Sequence, residues 1–214
     1  MMMESSRTYL PAAGHDWLLP LYDPIVKLLG GDAARKALLD QAVVLPDHRV
    51  LEIGCGTGTL AIQIKKFHPH VEMIGLDPDP KALACARRKA ARATVSIQFD
   101  TGFAGELPYP DASFHRVLSS FMFHHLPADE KRKTLSEVRR VLRPGGELHM
   151  LDFEGPEDGA HSFLAHLLHS NERLKDNSQA TVLGLIRHAG FADAQKVGRR
   201  TMLFGVAAYY RARV

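Results

Sequence analysis

The sequence predicts an α/β fold built on one mostly parallel sheet with helices on both faces. Three observations carry that expectation. Short β-branched or apolar runs alternate with longer helical patterns through the middle of the chain, the mark of repeated β-α units. The first run ends in a glycine-rich turn that opens directly into a helix, and the next ends in an aspartate. Residues able to hold a ligand therefore follow successive strands, where open α/β sheets bind their ligands.

Ahead of the sheet, Trp17–Leu29 and Asp32–Val44 read as two helices broken by Gly30-Gly31. Arg49–Ile53 is the first strand. Thr59–His68 follows as a helix with Leu60, Ile64 and Phe67 on one face, stopped by Pro69. Val71–Leu76 is the second strand, after which Asp79 caps an Ala-rich helix with Pro80 at its first position, running to Arg92. Thr94–Phe99 and Phe114–Ser119 are strands three and four. Ala128–Leu142 is a helix with Leu135, Val138 and Leu142 inward, closed by Arg143-Pro144-Gly145-Gly146, and Glu147–Phe153 is strand five. A Gly/Pro/Asp-rich loop leads to an amphipathic helix over His161–Lys175 with Phe163, Leu167 and Leu174 aligned. The last helix, Ser178–Ala189, ends at Gly190. Ala192–Val197 and Met202–Tyr209 then close the chain as an antiparallel pair joined by a Gly198-Arg199-Arg200 turn. The expected organisation is a helical cover over residues 1–45 and a ligand-binding domain over 46–214, with a lid helix near 161–175.

The 214 residues are 45% hydrophobic and 24% charged, with 17 Gly and 12 Pro, proportions that exclude a disordered chain, a collagen and a disulfide scaffold. A net charge of +3 is too small to imply nucleic acid as a partner. The two cysteines, Cys55 and Cys85, have no zinc-site or redox-motif spacing. With no apolar run near either end long enough for a membrane span, and no apolar core in Met1–Arg7, the expected location is the cytoplasm. His161, His166 and His169, even with His15 or His124, bring no fixed carboxylate or thiolate, so no metal is expected. The basic runs Lys131–Lys133 and Arg87–Lys89, with Lys81, Arg139, Arg140 and Arg143, read as solvated helix faces. Oligomeric state stays open.

The sharpest feature is Gly54-Cys55-Gly56-Thr57-Gly58. Glycines let the backbone bend and touch a ligand, and the helix that follows offers free N–H groups to a carboxylate or phosphate. Thr59 stands where a dinucleotide fingerprint wants its third glycine, which disfavours a nicotinamide cofactor. Asp77 lies 19 residues after Gly58, where an acid reaches the hydroxyls of a ribose in nucleoside-binding α/β folds.

Val50–Gly58 (VLEIGCGTG), Gly75–Pro78 (GLDP), Leu107–Phe114 (LPYPDASF), His124-His125-Leu126 and Val138–Gly146 (VRRVLRPGG) together resemble the ordered motifs of class I S-adenosylmethionine-dependent methyltransferases, in particular the ubiquinone/menaquinone-biosynthesis-type branch that acts on small molecules. The resemblance implies a Rossmann-like sandwich with a seven-stranded sheet, S-adenosylmethionine as cofactor, and a small, apolar or aromatic methyl acceptor. It places the methionine moiety on Gly54, Cys55, Gly56 and Gly58, with Glu52 bracing the turn or reaching the amino group. Asp77 would take the ribose, with Leu76 and Pro78 flanking the adenine, and Gly102, Phe103, Ala104 and Ser119 complete the cofactor-binding set. Two positions depart from the family pattern. Phe103 stands where an acid usually fixes the adenine edge, leaving the Ala104 amide to bond the ring. His115 replaces an acid expected to be structural.

For chemistry, His124 and His125 are the candidates for base or substrate contact, and Tyr22, in the expected cover, would bond the carboxylate end of the cofactor. The acceptor atom is not legible. A nucleic-acid methyltransferase is disfavoured because Ser119-Ser120-Phe121-Met122 stands where a base-amino methyltransferase carries an Asn/Asp-Pro-Pro-aromatic motif. A non-catalytic cofactor-binding protein remains the other alternative, motivated by Phe103.

Overall fold

The computed structural model describes residues 30–155, 177–202 and 205–214. The expected Trp17–Leu29 helix, Tyr22 and the His161–Lys175 lid helix lie outside the described residues.

Within them, helix α1 (Gly31–Ala42) leads into β1 (Arg49–Ile53), α2 (Thr59–Phe67), β2 (Glu72–Asp77), α3 (Pro80–Arg92), β3 (Gln98–Thr101) and β4 (Phe114–Ser120). A 3-10 turn at Phe123–His125 precedes α4 (Ala128–Val141), β5 (Leu142–Phe153), α5 (Gln179–His188), β6 (Ala192–Met202) and β7 (Gly205–Arg213). The seven strands form one sheet in the order β3-β2-β1-β4-β5-β7-β6. β3 through β5 run parallel, and β7 pairs antiparallel with both β5 and β6. The α/β expectation is met, including the closing antiparallel pair.

Each face of the sheet is packed. On one, Leu38, Ala42, Leu60, Ile64 and Leu83 from three helices meet Val50 and Leu118. On the other, Leu135, Val138, Val182 and Ile186 meet Leu51, Val117 and Tyr210. Alternate residues of a strand point to opposite faces, which is why neighbours Val50 and Leu51 belong to different cores. Strands buried on both faces read as nearly continuous apolar runs, as β2 does over Met73–Leu76, whereas Glu52 interrupts the run in β1.

Several boundaries differ from the sequence reading. The third strand is not Thr94–Phe99. Thr94 takes φ +54 while its N–H and that of Val95 bond back to Ala91 and Ala90, so the end of α3 consumes those residues and pairing starts at Gln98. Gly198-Arg199-Arg200 is no turn: these residues pair with Tyr209, Ala208 and Ala207, and the hairpin reverses further on. An edge strand tolerates them because one side is open to water. Phe67, expected on the buried face of α2, is 60% exposed in the last turn of that helix. Lys131, expected on a solvated face, is buried. It occupies the same stripe as Thr134, Leu135 and Val138, and its ammonium donates to Asn177 Oδ1 (3.1 Å) and lies 5.4 Å over the Phe123 ring. Asp79 caps α3 as expected, accepting from Lys81 N at 2.8 Å. His115, at the opposite edge of the sheet from the glycine turn, accepts from Arg49 N at 3.0 Å and stacks on His48.

No helix among the described residues is long and apolar enough to cross a membrane.

Candidate active site

The carboxyl ends of β1 through β4 open on a cavity of about 680 Å³. Along that edge the sheet order sets out four groups in sequence: Gly102–Ala104 after β3, Asp77 and Pro78 at β2, Glu52–Gly56 at β1, and Ser120–His125 after β4.

At β1 the chain turns with Gly54, Gly56 and Gly58 at φ +65, +52 and +74, values that side-chain-bearing residues rarely adopt. A Cβ on Gly54 would lie 2.2 Å from Met122 Cγ, so this backbone packs as closely as it can against the segment after β4. Gly58 does a different job. It caps α2, and a Cβ there would meet Ala86 Cβ at 2.9 Å, so it packs against α3 and does not border the cavity. Cys55 borders the cavity, but its sulfur packs towards Gly75; burial first, then the fields of Glu52 and Asp77, push its thiol well above its ordinary value. It is poorly suited to be a nucleophile.

Asp77 links the first two turns. Its Oδ2 accepts from Gly56 N at 2.8 Å and its Oδ1 from Asp79 N at 2.9 Å. Burial raises its pKa, and the two backbone N–H groups pull the other way. Each oxygen keeps a lone pair, and the carboxylate borders the cavity, so it can accept from a pair of hydroxyls. Glu52 is 1% exposed, accepts from Ala61 N at 3.0 Å and borders the cavity. Burial dominates its titration and pushes its carboxyl up to about 8 against the opposing field of Arg35, so it is largely protonated at neutral pH. It braces the first turn of α2.

Gly102, Phe103 and Ala104 border the far end, facing Glu130 of α4, whose Oε2 would lie 2.8 Å from a Cβ on Gly105. Asp100 is turned away and accepts from Tyr109 OH at 2.9 Å. On the β4 side the reading needs two changes. Ser119 is buried within the sheet, its hydroxyl without a partner among the described residues, and Ser120, one residue on and therefore on the other face, borders the cavity instead. The two histidines also separate. His125 borders the cavity, whereas His124 is buried behind it. His124 donates its backbone N–H to Asp152 Oδ2 (2.7 Å), pairs through Nδ1 with Asp152 Oδ1, and packs against His125 with ring centroids 3.9 Å apart and planes tilted by 42°. His124 therefore positions its neighbour.

The sequence reading missed Arg35. It lies on the buried stripe of α1 with Gly31, Leu38 and Ala42, is 5% exposed, and borders the cavity beside Glu52. A cation at an i, i+4, i+7 position otherwise filled by small or apolar residues was the available signal. Phe121, under its guanidinium, has φ +56, a strained value for an aromatic residue at the cavity wall.

No group of three or more His, Cys, Asp or Glu among the described residues is placed to hold a metal ion. What the cavity offers suits a nucleoside: a bare backbone for close approach, and a carboxylate beside it for hydroxyls.

Comparison with known proteins agrees with that geometry. Residues 50–146 match the methyltransferase domain family. The chain is 40% identical over 145 residues to a demethylmenaquinone methyltransferase of Deinococcus radiodurans, covering 66% of this chain and 59% of that protein. It is 38% identical over 146 residues to one of Thermus thermophilus, covering 67% of this chain and 66% of that protein. The chain thus spans less than two thirds of the length of either relative. Among solved structures, a SAM-dependent methyltransferase from Aquifex aeolicus superposes with a TM-score of 0.71 at 17% identity, over 94% of this chain and 98% of that one, a likeness of fold. Motif, fold and relatives converge: residues 50–146 carry a methyltransferase domain, on the fold and with the ordered motifs of the class I S-adenosylmethionine-dependent methyltransferases.

Proposed function

We propose that this protein transfers a methyl group from S-adenosylmethionine to a small organic molecule with an apolar or aromatic body. The observation that carries the reading is the Asp77 carboxylate hydrogen-bonded to Gly56 N across the turn, a carboxylate and a bare backbone presented side by side to one cavity. Asp77 holds the ribose hydroxyls, the Gly54–Gly56 backbone the amino-acid end, and Phe103 with the Ala104 amide the adenine. Held by Asp77 and the Gly54–Gly56 backbone, S-adenosylmethionine would supply an electrophilic methyl group for displacement by the acceptor. For such an in-line displacement the protein's main work is alignment of the acceptor and exclusion of water. Phe121, Met122 and Leu126 give the acceptor side apolar walls. His125, on the same side, takes the proton when the acceptor carries one. Relatives named as demethylmenaquinone methyltransferases support a small acceptor over a nucleic acid.

Thermal unfolding with S-adenosylhomocysteine, S-adenosylmethionine and NADH tests the reading. A ligand at about 100 times its Kd stabilises by about 2.7 kcal/mol, a rise of a few degrees at this size. The expected result is a shift with both sulfur nucleosides and none with NADH. Asp77→Asn, which keeps the shape, should weaken S-adenosylhomocysteine at least roughly tenfold by calorimetry, the loss expected for charge-assisted hydrogen bonds. His125→Ala should leave that binding within about twofold while lowering turnover roughly 100-fold or more. Unchanged affinity in the Asp77 variant would remove the ribose assignment.

A further inference from the structure

The cations of this chain are spread unevenly. Helices α2 and α3 carry seven Lys and Arg side chains and no Asp or Glu, so the rest of a chain with net charge +3 is net acidic. Three of the seven are used inside the fold: Lys65 Nζ donates to Pro69 O, Arg87 Nη2 to Phe99 O and Lys89 Nζ to Thr59 Oγ1, each at 2.7 Å. Lys66, Lys81, Arg88 and Arg92 are exposed. The buried stripe of α3 is Ala82, Leu83, Ala86 and Ala90. Helical periodicity sets Lys81, Arg88 and Arg92 opposite that stripe, with Ala84, Cys85 and Ala91 between them. Phe67, 60% exposed, borders a shallow depression of the same helical layer with Lys66, Ala33 and Lys36. The acids of that layer, Asp32 and Asp40 of α1, each face a cation of their own helix, at 3.8 Å from Arg35 and 2.8 Å from Lys36.

We propose that the outer face of α2 and α3 docks the protein on an anionic bilayer. The proposal rests on the apolar acceptor read above: such a molecule partitions into lipid, and an enzyme held at the lipid surface meets it there. Charge complementarity selects an anionic occupant, since each Lys or Arg near an anionic leaflet strengthens attachment about fivefold. The texture of the face then selects among anions. Small residues separate the α3 cations, so no anchor side chain reads a peptide sequence and no aromatic ring stands in the stripe for a base to stack on. What is left is charge density along one helix face, which a plane of headgroups matches. The exposed Phe67 ring next to Lys66 suits the same boundary, where an aromatic side chain sits between headgroups and acyl chains. The face also reaches the cavity, because Pro78 borders the cavity and Pro80 begins α3.

Co-sedimentation of the full chain with phosphatidylcholine vesicles, with and without about 30% phosphatidylglycerol, tests this. Wild type should partition at least roughly tenfold better onto the anionic vesicles, and the gain should fade between about 0.05 and 0.5 M NaCl as the Debye length shortens. Arg88→Gln combined with Arg92→Gln should weaken that binding roughly 10- to 30-fold. Arg132→Gln combined with Lys133→Gln removes the same net charge from α4, where the two cations pair with Asp129 and Glu130, and should change binding by less than about threefold. Phe67→Ser should weaken binding by about threefold or more at unchanged charge. Both double variants should bind S-adenosylhomocysteine within about twofold of wild type, which separates a lost face from a lost fold. No preference of wild type for the anionic vesicles overturns the proposal, as does equal loss in the α3 and α4 variants. Tighter binding to duplex DNA or to polyglutamate than to the anionic vesicles, at equal concentration of charge, reassigns the face to a nucleic acid or an acidic polypeptide and overturns it too. Vesicle binding is read without cofactor or acceptor. Its failure leaves the methyl-transfer reading standing, and a wild type that sediments with anionic vesicles but binds no sulfur nucleoside keeps the docking face and removes the cofactor reading.

Discussion

Glu52 and Glu147 are the same side chain, each buried on a strand of one sheet, 1% and 6% exposed, and they titrate in opposite directions. Glu52 stands near the carboxyl end of β1 with one backbone donor, Ala61 N, and burial raises it to about 8. Glu147 pairs in register with Arg116 near the start of β4, at the opposite edge. Burial pushes it up as well. Hydrogen bonds from Arg213 at 2.7 and 3.1 Å and from His149, with the Arg116 field, outweigh that and leave it below its usual range. One edge is a finished ion network, and the other keeps a protonated acid and an arginine facing a cavity. Groups left incompletely matched in a cleft mark where a ligand completes them, whereas matched groups serve the fold.

The largest consequence is in pH dependence. Between about pH 4.5 and 8 the folded protein holds a proton on Glu52 that the unfolded chain has released, so stability falls as pH rises, by a total on the order of 5 kcal/mol. Glu52→Gln, which still accepts from Ala61 N, should remove that fall. Urea unfolding of both proteins from pH 5 to 8 measures it, and parallel curves would show that Glu52 is not held protonated.

His149 works in the reverse sense. Burial lowers it to about 4 despite the hydrogen bond to Glu147. From pH 6.5 down to about 4 the unfolded chain gains a proton that the folded one refuses, so stability drops on acidification by on the order of 3 kcal/mol. In wild type the two slopes oppose each other below pH 6.5, and the decline should emerge above it. His149→Leu should sharpen the contrast by steepening the net fall between pH 5 and 6.5.

Breaking the matched edge comes next. Glu147→Gln leaves Arg116, which is 3.6 Å from Glu147 and mostly buried, without its acid, and should cost about 1–3 kcal/mol by urea unfolding at pH 7 with no loss of S-adenosylhomocysteine affinity. A fall in affinity would mean that the two edges are coupled. The smallest effect is expected at Phe67, where Phe67→Ser should change stability by less than about 0.5 kcal/mol, because the ring is already in water.

The sequence by itself determined the alternation of strands and helices, the place of the glycine turn, the Asp79 cap and the acid at Asp77. Those features depend on local rules: periodicity, cap chemistry and the backbone freedom of glycine act within a few residues of where they are written. Tertiary structure decided which candidate side chains meet the cavity. Ser119 and Ser120 are interchangeable as letters, and one residue of strand register puts only the second on the wall. His124 and His125 looked equivalent until Asp152, 28 residues on, took the first into the core. The misjudged boundary residues share a cause. Thr94 is drawn off by the end of α3, and Gly198-Arg199-Arg200 is held extended by β7, both through hydrogen bonds whose partners the local pattern does not name. Lys131 and Arg35 follow the same logic on helices. A charge on an apolar stripe is buried only where something distant receives it: an asparagine and a phenylalanine face for Lys131, and for Arg35 a cavity wall. Propensity is local, but the energy of a buried charge is set by its partners, and the fold alone assembles those.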